Sequence, residues 1–452
     1  MYITKMKSII YIVSWLFLLV GVLTACGSEI ENAENPKTPN ERQEQREELA
    51  KPDTLDNSNE EGIVVNMLPE TRTIKLTPEQ LSFAQKNNDF TFNLYRTIHQ
   101  MQHENKSIII SPLSVTYVLG MLNDGAAGET SSEITKILGF GDGDKVSLNE
   151  YCQALIMQAP IADPSVNLEI SNIITADKDV ELETAYEQDV KSFYCAEVAS
   201  LDFSQPSSLD FLNSWCNEKS HGMIPRIIDN LSTDAKLILM NAVYFKATWT
   251  DKFDEKETKE ETFTKADGSS VELPMMHRKA EIICGENDLF TSIRLPYGSG
   301  DKYSMYVLLP VEGKTVDDII AGLNNCFWQQ NRNSCTAIAD IKLPRFKTEK
   351  EIELNEMLKQ LGAPSMFDSK KANFTGISRN NKDLFVSLLK QKAAIEVSEE
   401  GTKSSAVTVA MMETEGGGTS KAIDFHAVRP FVYLIQEWDT QVIFFIGTFQ
   451  GD

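Results

Sequence analysis

The sequence predicts a mixed α and β chain, and three observations carry that expectation. A good helix start followed by apolar residues at loosely helical spacing occupies Thr77 to Ile98. Apolar runs of strand length recur from Leu237 onward. Late in the chain, one segment alternates with the two-residue period of a strand yet carries only small side chains on one face. Composition agrees: with 42% hydrophobic and 24% charged residues the chain has globular character and enough length for a large interior.

The front of the chain reads as a targeting segment. Lys5 and Lys7 precede an apolar run, Ile9 to Leu23, shorter than the roughly 20 residues a spanning helix needs. The run ends at Leu23-Thr24-Ala25-Cys26, which is similar to a bacterial lipobox and would make Cys26 the lipidated first mature residue. The alternative is a plain signal peptide followed by a chance Cys. Lipid chains on Cys26 would anchor an otherwise soluble protein to a membrane. Gly27-Ser28-Glu29 lacks the Asp of an inner-membrane retention signal, and the nearby acids resemble surface-export signals. The expected location is therefore the bacterial outer membrane, facing outward. Residues 26–75 are rich in Glu, Asn, Gln, Pro and Lys and cannot bury enough apolar area to offset ordering entropy. They read as a flexible tether, leaving 76–452 as the folded domain.

Within that domain, Thr77-Pro78-Glu79-Gln80 offers a cap followed by Pro in the first turn. Leu81, Ala84, Phe92, Tyr95 and Ile98 continue it as a helix face. Leu237 to Phe245 is mostly apolar and reads as a buried strand; Tyr303 to Leu309, Phe385 to Val397 and Gln441 to Thr448 are also strand-like. No internal repeat is present. The small-residue segment follows directly on Val397: Glu399, Glu400, Gly401, Thr402, Lys403, Ser404, Ser405, Ala406, Val407, Thr408, Val409, Ala410. One face carries Thr402, Ser404, Ala406, Thr408 and Ala410; the other carries Lys403, Ser405, Val407 and Val409. An open loop from Glu413 to Lys421 follows. Two readings fit: an ordinary edge strand with a polar loop, or a segment that slides late into a slot already formed between neighbours.

A series of motifs separates them. Ser111-Pro112-Leu113-Ser114, Asn123-Asp124-Gly125-Ala126-Ala127-Gly128-Glu129-Thr130, Asn213-Ser214-Trp215 with Gly222-Met223-Ile224, and Asn241 to Trp249 occur in that order. Leu295-Pro296-Tyr297, Ser304-Met305, Leu308-Leu309-Pro310, Leu343-Pro344-Arg345-Phe346 and Arg429-Pro430-Phe431 follow. Each is weak alone. Together, from Asn87 to the C-terminus, they resemble the serpins, and the small-residue segment resembles the hinge of the inhibitory serpins' reactive loop.

That resemblance implies one large α+β domain, the serpin fold, with three β-sheets (A, B and C), about nine helices and an exposed reactive-centre loop. It implies a suicide inhibitor: a protease attacks the loop and forms an acyl-enzyme, the cut loop enters sheet A as a new strand, and the distorted protease is trapped. Loop insertion in serpins is itself a standard instance of strand addition. Small residues on the inserting face avoid overpacking, and Gly401 gives the pivot its backbone freedom. Lys403 departs from the family's usual Glu, and Ser404 from the commoner Ala. The resemblance also implies a latch. Glu399 and Arg345 match an ion pair at the top of sheet A, and Trp249 an aromatic that packs there. Ser111, Ser114 and Asn241 match polar residues that bond across the opening region, and Gln391 stands where the family often has His. Family spacing from Glu399 puts the cut after Glu415, with Gly416 leaving. Gly416-Gly417-Gly418 lengthens the loop, however, so the scissile bond lies somewhere among Met411, Met412, Glu413, Thr414, Glu415 and Gly416. Met at the cut suits elastase-, chymotrypsin- or subtilisin-like serine proteases, and Glu suits a glutamate-specific one; papain-like cysteine proteases also pass through an acyl-enzyme.

Other functions find little support. Without residues 1–25 the chain has 41 basic and 66 acidic residues, net −25, which argues against nucleic-acid binding. The expected state is a monomer. Beyond Cys26 there are six Cys: Cys152, Cys195, Cys216, Cys284, Cys326 and Cys335. They permit disulfides in an exported protein, with Cys326 and Cys335 close enough to pair, or they stand as buried thiols. No Cys spacing suggests zinc, Asp142-Gly143-Asp144 lacks the rest of a calcium loop, and no metal or cofactor is expected. No G-x-S-x-G, H-E-x-x-H or P-loop occurs, so an exported enzyme has no visible catalytic constellation. A glycan-binding lipoprotein would need an exposed aromatic platform, and none is evident. A non-inhibitory serpin serving as a binding module is the main alternative; charged or Pro residues at the hinge would favour it, and Ser404, Ser405 and Ala406 do not.

Overall fold

The computed structural model describes residues 70–452 except 103–105, 233, 301 and 403–420. The lipobox with Cys26, the tether, the hinge from Lys403 to Thr408 and the scissile region from Met411 to Gly416 lie outside the described residues.

The first helix, α1 (Pro78–Gln102), begins where the sequence placed it. Thr77 Oγ1 accepts from Gln80 N at 3.1 Å and Gln80 Oε1 accepts from Thr77 N at 3.0 Å, a reciprocal capping box. Ala84, Phe92, Tyr95 and Ile98 are buried, but Leu81 stands on the exposed side. After the short β1 (Ile108–Ile110), Ser111 caps α2 (Pro112–Gly125), accepting from Ser114 N while Pro112 takes the first turn. Helix α2 is apolar on nearly every side and runs through the centre of the molecule. It is followed by α3 (Gly128–Leu138), α4 (Lys145–Gln158), β2 (Val166–Asp177), α5 (Thr184–Tyr194), β3 (Glu197–Leu201), α6 (Pro206–Lys219) and β4 (Leu237–Thr248). The second half continues β5 (Lys259–Thr264), β6 (Ser270–Glu286), β7 (Phe290–Pro296), β8 (Tyr303–Pro310), α7 (Val316–Gly322), α8 (Asn325–Asn331), β9 (Cys335–Pro344), β10 (Phe346–Glu353) and α9 (Asn355–Leu361). It closes with β11 (Lys390–Val397), β12 (Gly401–Thr402), β13 (Lys421–His426), β14 (Phe431–Glu437) and β15 (Ile443–Phe449).

Among the described residues this makes nine α-helices and three sheets, as expected. The division among the sheets is less simple. The 17-residue strand β6 changes partners along its length, pairing with β5, then β9, then β7, and so joins nine strands into one sheet. Its strands β8, β14 and β15 are buried throughout, with elements covering both faces, and read in the sequence as unbroken apolar runs. The remaining two sheets are β12-β4-β2-β3 and the pair β10-β11. Helix α6 lies over the four-stranded sheet, with Leu212, Trp215 and Cys216 packed on Ile173, Met240 and Ala242.

Two local expectations change. Phe385 to Leu389 is not strand; β11 starts at Lys390, and Phe385 and Leu388 are exposed, so their hydrophobicity marked no core position. Cys335 does not pair with Cys326, which sits exposed in α8. It bonds Cys284, directly opposite it in the β6–β9 register, with the Cα atoms 5.0 Å apart. Replacing Cys284 and Cys335 together by Ser should lower stability by about 2–4 kcal/mol in denaturant melts. Alkylation of the unfolded, unreduced chain should modify Cys152, Cys195, Cys216 and Cys326 and spare Cys284 and Cys335.

Candidate functional site

Strand β11 alternates strictly, with Gln391, Ala393, Ile395 and Val397 buried between half-exposed neighbours. Its chain then folds back. Ser398 and Gly401 exchange backbone bonds of 2.9 and 3.0 Å, making a tight turn with Glu399 and Glu400 at its tip. Gly401 has φ +126°, and a Cβ there would lie 2.4 Å from Ala247 O and 2.6 Å from Thr248 Cα, so backbone rather than side chain fills the space. Beyond it, Gly401 and Thr402 pair antiparallel with Thr248 and Ala247 of β4.

The tip is held from several sides. Glu399 is buried at 2% exposure, and Arg345, which is half-exposed, donates to it twice, Nε to Oε2 at 3.1 Å and Nη2 to Oε1 at 2.6 Å. Thr258 Oγ1 donates to the same carboxylate at 2.6 Å. Burial alone would push the Glu399 carboxyl up; the bonds from Arg345 and Thr258 outweigh it and hold it below its usual value. The bond to Glu399 in turn raises Arg345. The backbone joins in: Trp249 N donates to Glu400 O at 2.9 Å, and Phe253 N to Glu399 O at 3.1 Å. Lys252 pairs with the Glu400 carboxylate. Trp249 is buried, donates Nε1 to Ser398 O at 2.9 Å and stacks on Tyr297 with centroids 4.4 Å apart. The Tyr297 hydroxyl is hydrogen-bonded to Thr402 Oγ1 at 3.0 Å, and Thr402 is itself 2% exposed.

Below this knot the sheet is open among the described residues. Strands β4 and β11 are not hydrogen-bonded to each other, and among the described residues only Gly401 and Thr402 pair on that edge of β4. A void of about 20 Å³, room for roughly one water, lies between the two strands over the start of α2. Ser111, Ser114, Asn241 and Ala393 line it. Ser114 Oγ donates to Asn241 Oδ1, whose Nδ2 donates to Asn172 Oδ1 at 2.9 Å and Ser171 O at 3.2 Å. From the other side, Gln391 Nε2 donates to Ser111 O at 2.5 Å, and its buried Oε1 has no hydrogen-bond partner among the described residues. Asn241 and Gln391 thus both grip the start of α2.

The structure therefore brings the sequence-selected residues into two groups. Glu399, Glu400, Gly401, Thr402, Arg345 and Trp249 meet at the top of the opening; Ser111, Ser114, Asn241 and Gln391 meet at its middle. Sequence reasoning missed Thr258, Lys252 and the hydroxyl role of Tyr297. Only Tyr297 lay in a recognised motif, and nothing local marks the other two. Thr402 is the only member of the small-residue face among the described residues, and it points inward as its alternation requires.

Comparison with known proteins agrees with this geometry. Residues 85–450 match the family model described as "Serpin (serine protease inhibitor)". The chain is 33% identical to human glia-derived nexin over 362 residues, covering 76% of this chain and 87% of the relative. It is 30% identical to an uncharacterized serpin-like protein of Thermococcus kodakarensis, covering 80% and 83%. Among solved structures it superposes on the native thermophilic serpin tengpin with a TM-score of 0.73 at 26% identity, covering 84% of this chain and 95% of that one. Human thyroxine-binding globulin complexed with thyroxine gives a TM-score of 0.72 at 27% identity, with 82% and 98% covered.

The tip makes a pH prediction. A carboxyl whose folded value lies below its unfolded one stabilises above the unfolded value and loses that contribution as pH falls through the folded one. Glu399→Gln should therefore cost about 1–2 kcal/mol at pH 7, a modest figure because Arg345 faces solvent. The gap between wild type and variant should shrink as pH is lowered from 5 toward 3 in parallel melts.

Proposed function

This chain belongs to the serpin family, and on that footing we propose that it is a suicide inhibitor that traps serine proteases through its reactive loop. The protease serine attacks a loop carbonyl within Met411–Gly416, an ester forms, the peptide C–N bond breaks and the new amine leaves with the proton. The freed segment from Lys403 onward then adds to the edge of β4.

The observation that carries this reading is the pair of rungs Gly401↔Thr248 and Thr402↔Ala247 at the head of an edge of β4 that has no other strand partner among the described residues. Continued unchanged, that register sets Ser404 opposite Phe245, Ala406 opposite Val243 and Thr408 opposite Asn241. The face shared with Thr402 would hold Ser404, Ala406, Thr408 and Ala410, small enough to enter over α2 without overpacking. The facing edges of β4 and β11, which have no strand between them among the described residues, would supply the driving hydrogen bonds. In this reading Glu399, Arg345, Thr258 and Trp249 fix the pivot, while Ser111, Ser114, Asn241 and Gln391 hold the middle of the opening until the strand arrives. Elastase-, chymotrypsin- and subtilisin-like enzymes fit the Met residues, and a glutamate-specific protease fits Glu415.

A second reading is a non-inhibitory binding module. The similarity to thyroxine-binding globulin favours it, since that relative is solved with a bound small molecule. The small residues of the hinge favour inhibition.

Incubation with pancreatic elastase, chymotrypsin, subtilisin and a glutamyl endopeptidase separates the two. Trapping gives an SDS-stable complex, and the mass of the released C-terminal peptide names the scissile bond; clean cleavage without complex points to the binding module. Thr402→Arg places a charge where Thr402 packs beneath Tyr297, and should turn inhibitor into substrate. Its stoichiometry of inhibition should rise at least tenfold, while Thr402→Ser stays near wild type.

We also propose that the chain is exported and lipid-anchored at Cys26, with residues 27–75 holding the domain off the bacterial outer membrane. This would place the inhibitor where external proteases reach the cell envelope. Cys26→Ala should move the protein from the membrane pellet to the soluble fraction in detergent-free fractionation.

A further inference from the structure

Strands β13, β9 and β6 lie side by side, with β13 parallel to β9 and β9 antiparallel to β6. Asp424 faces Asp340 across the first pair, and both His426 and His277 are in register with Lys342. Two-residue alternation puts His277, Asp340, Asp424 and His426 on one outward face. The ligating atoms of Asp340, Asp424 and His426 all lie within 4.8 Å of one another. His426 Nε2 is 3.8 Å from Asp340 Oδ1, within ion-pair reach but too far for a hydrogen bond; the side chain is 37% exposed, yet this nitrogen is itself covered and has no hydrogen-bond partner among the described residues. An imidazole nitrogen without a hydrogen bond beside two carboxylates is an arrangement that a cation between them would satisfy.

We infer that Asp340, Asp424 and His426 form a binding site for a divalent transition metal of the zinc class. Ligand atoms about 2.0–2.1 Å from a tetrahedral ion stand roughly 3.4 Å apart, so a few tenths of an ångström of closure would make His426 and Asp340 joint ligands. The imidazole selects zinc-like ions over calcium or magnesium, which take oxygen ligands. His277 Nε2 lies 2.6 Å from Asp340 Oδ1 and orients that carboxylate from behind, as outer partners of metal ligands do. Lys279 Nζ, 3.4 Å from Asp340 Oδ2, is the competing cation; it is mostly exposed, and such surface pairs are weak enough to yield. Lys342 is engaged elsewhere, with Glu261. The ligands come from strands distant in sequence, so no local spacing announced them.

The site would have a mechanical effect. Strand β13 lies at the end of its sheet and follows directly on residues 403–420. A metal joining Asp424 and His426 to Asp340 would pin this strand to β9 and stabilise the folded chain by mass action.

The test is titration of the full chain with zinc chloride in competition with a chromogenic chelator, alongside thermal melts. One equivalent should bind, the melting temperature should rise with zinc, and amides of β13 should exchange more slowly with solvent. His426→Ala and Asp340→Asn should each weaken binding at least tenfold and abolish the thermal shift. His277→Gln should weaken it less, and His221→Ala and Cys326→Ser should leave it unchanged. Circular dichroism of the apo variants separates lost binding from lost folding; should Asp340→Asn fail to fold, Asp424→Asn takes its place. The inference is overturned if wild type binds no zinc below 100 µM, or if the double variant His426→Ala, Asp424→Asn still binds one equivalent with wild-type affinity.

Discussion

The edge of β4 below Ala247, which has no strand partner among the described residues, is the constraint around which the rest of this molecule is arranged. A strand edge inside a folded protein presents a row of donors and acceptors that will pair with any extended segment that reaches them. Here Gly401 and Thr402 occupy the first two rungs. Everything at the top of the opening sets how the chain enters it. The glycine backbone passes where no Cβ fits, the Glu399 carboxylate is buried against Arg345 and Thr258, and the Trp249–Tyr297 stack roofs Thr402. These contacts fix direction and register at the entrance; they supply no partner for the edge below it.

The middle of the opening obeys a different physical rule. Polar side chains there are buried, so each must find a partner or carry a desolvation cost. Ser114 and Asn241 satisfy one another, and Asn241 reaches on to β2. Gln391 satisfies its amide nitrogen on Ser111 and leaves its oxygen unpaired. The start of α2, with its own cap at Ser111, is thus shared between the two halves of the sheet. This arrangement is specific in direction, yet among the described residues the Gln391 oxygen is left without a hydrogen bond.

The opposite end of the 403–420 segment is held by different chemistry. Strand β13 makes a parallel pairing at the end of a sheet, a slightly weaker arrangement per residue than an antiparallel one. On this sheet, strands β6 and β9 are cross-linked by Cys284–Cys335 at one end and carry the His277–Asp340 contact further along. The strands beside β13 are therefore reinforced by a covalent cross-link as well as a charge-assisted contact, while the entrance at Gly401 is held by the ion pairs of Glu399 and Glu400, hydrogen bonds and packing, with no covalent link.

Much of this was legible in the chain itself. Period-two alternation announced the inward side of Thr402, capping residues announced the start of α1, and apolar runs announced β4, β8 and β15, because each of these depends on neighbours in sequence. The resemblance to the serpins extended that reading to Glu399, Arg345, Trp249, Asn241 and Gln391, and they do converge. What the chain could not declare depends on register between distant strands. Cys284 faces Cys335 because β6 and β9 align there, not because of any spacing. Thr258 reaches Glu399, Tyr297 reaches Thr402, and His426 comes to Asp340, for the same reason. Exposure was equally hidden: Phe385, Leu388 and Leu81 are as apolar as their buried neighbours. Local patterns are set by backbone geometry, which every residue carries with it; which strand lies beside which, and which edge stays open, is decided only when the whole chain has packed.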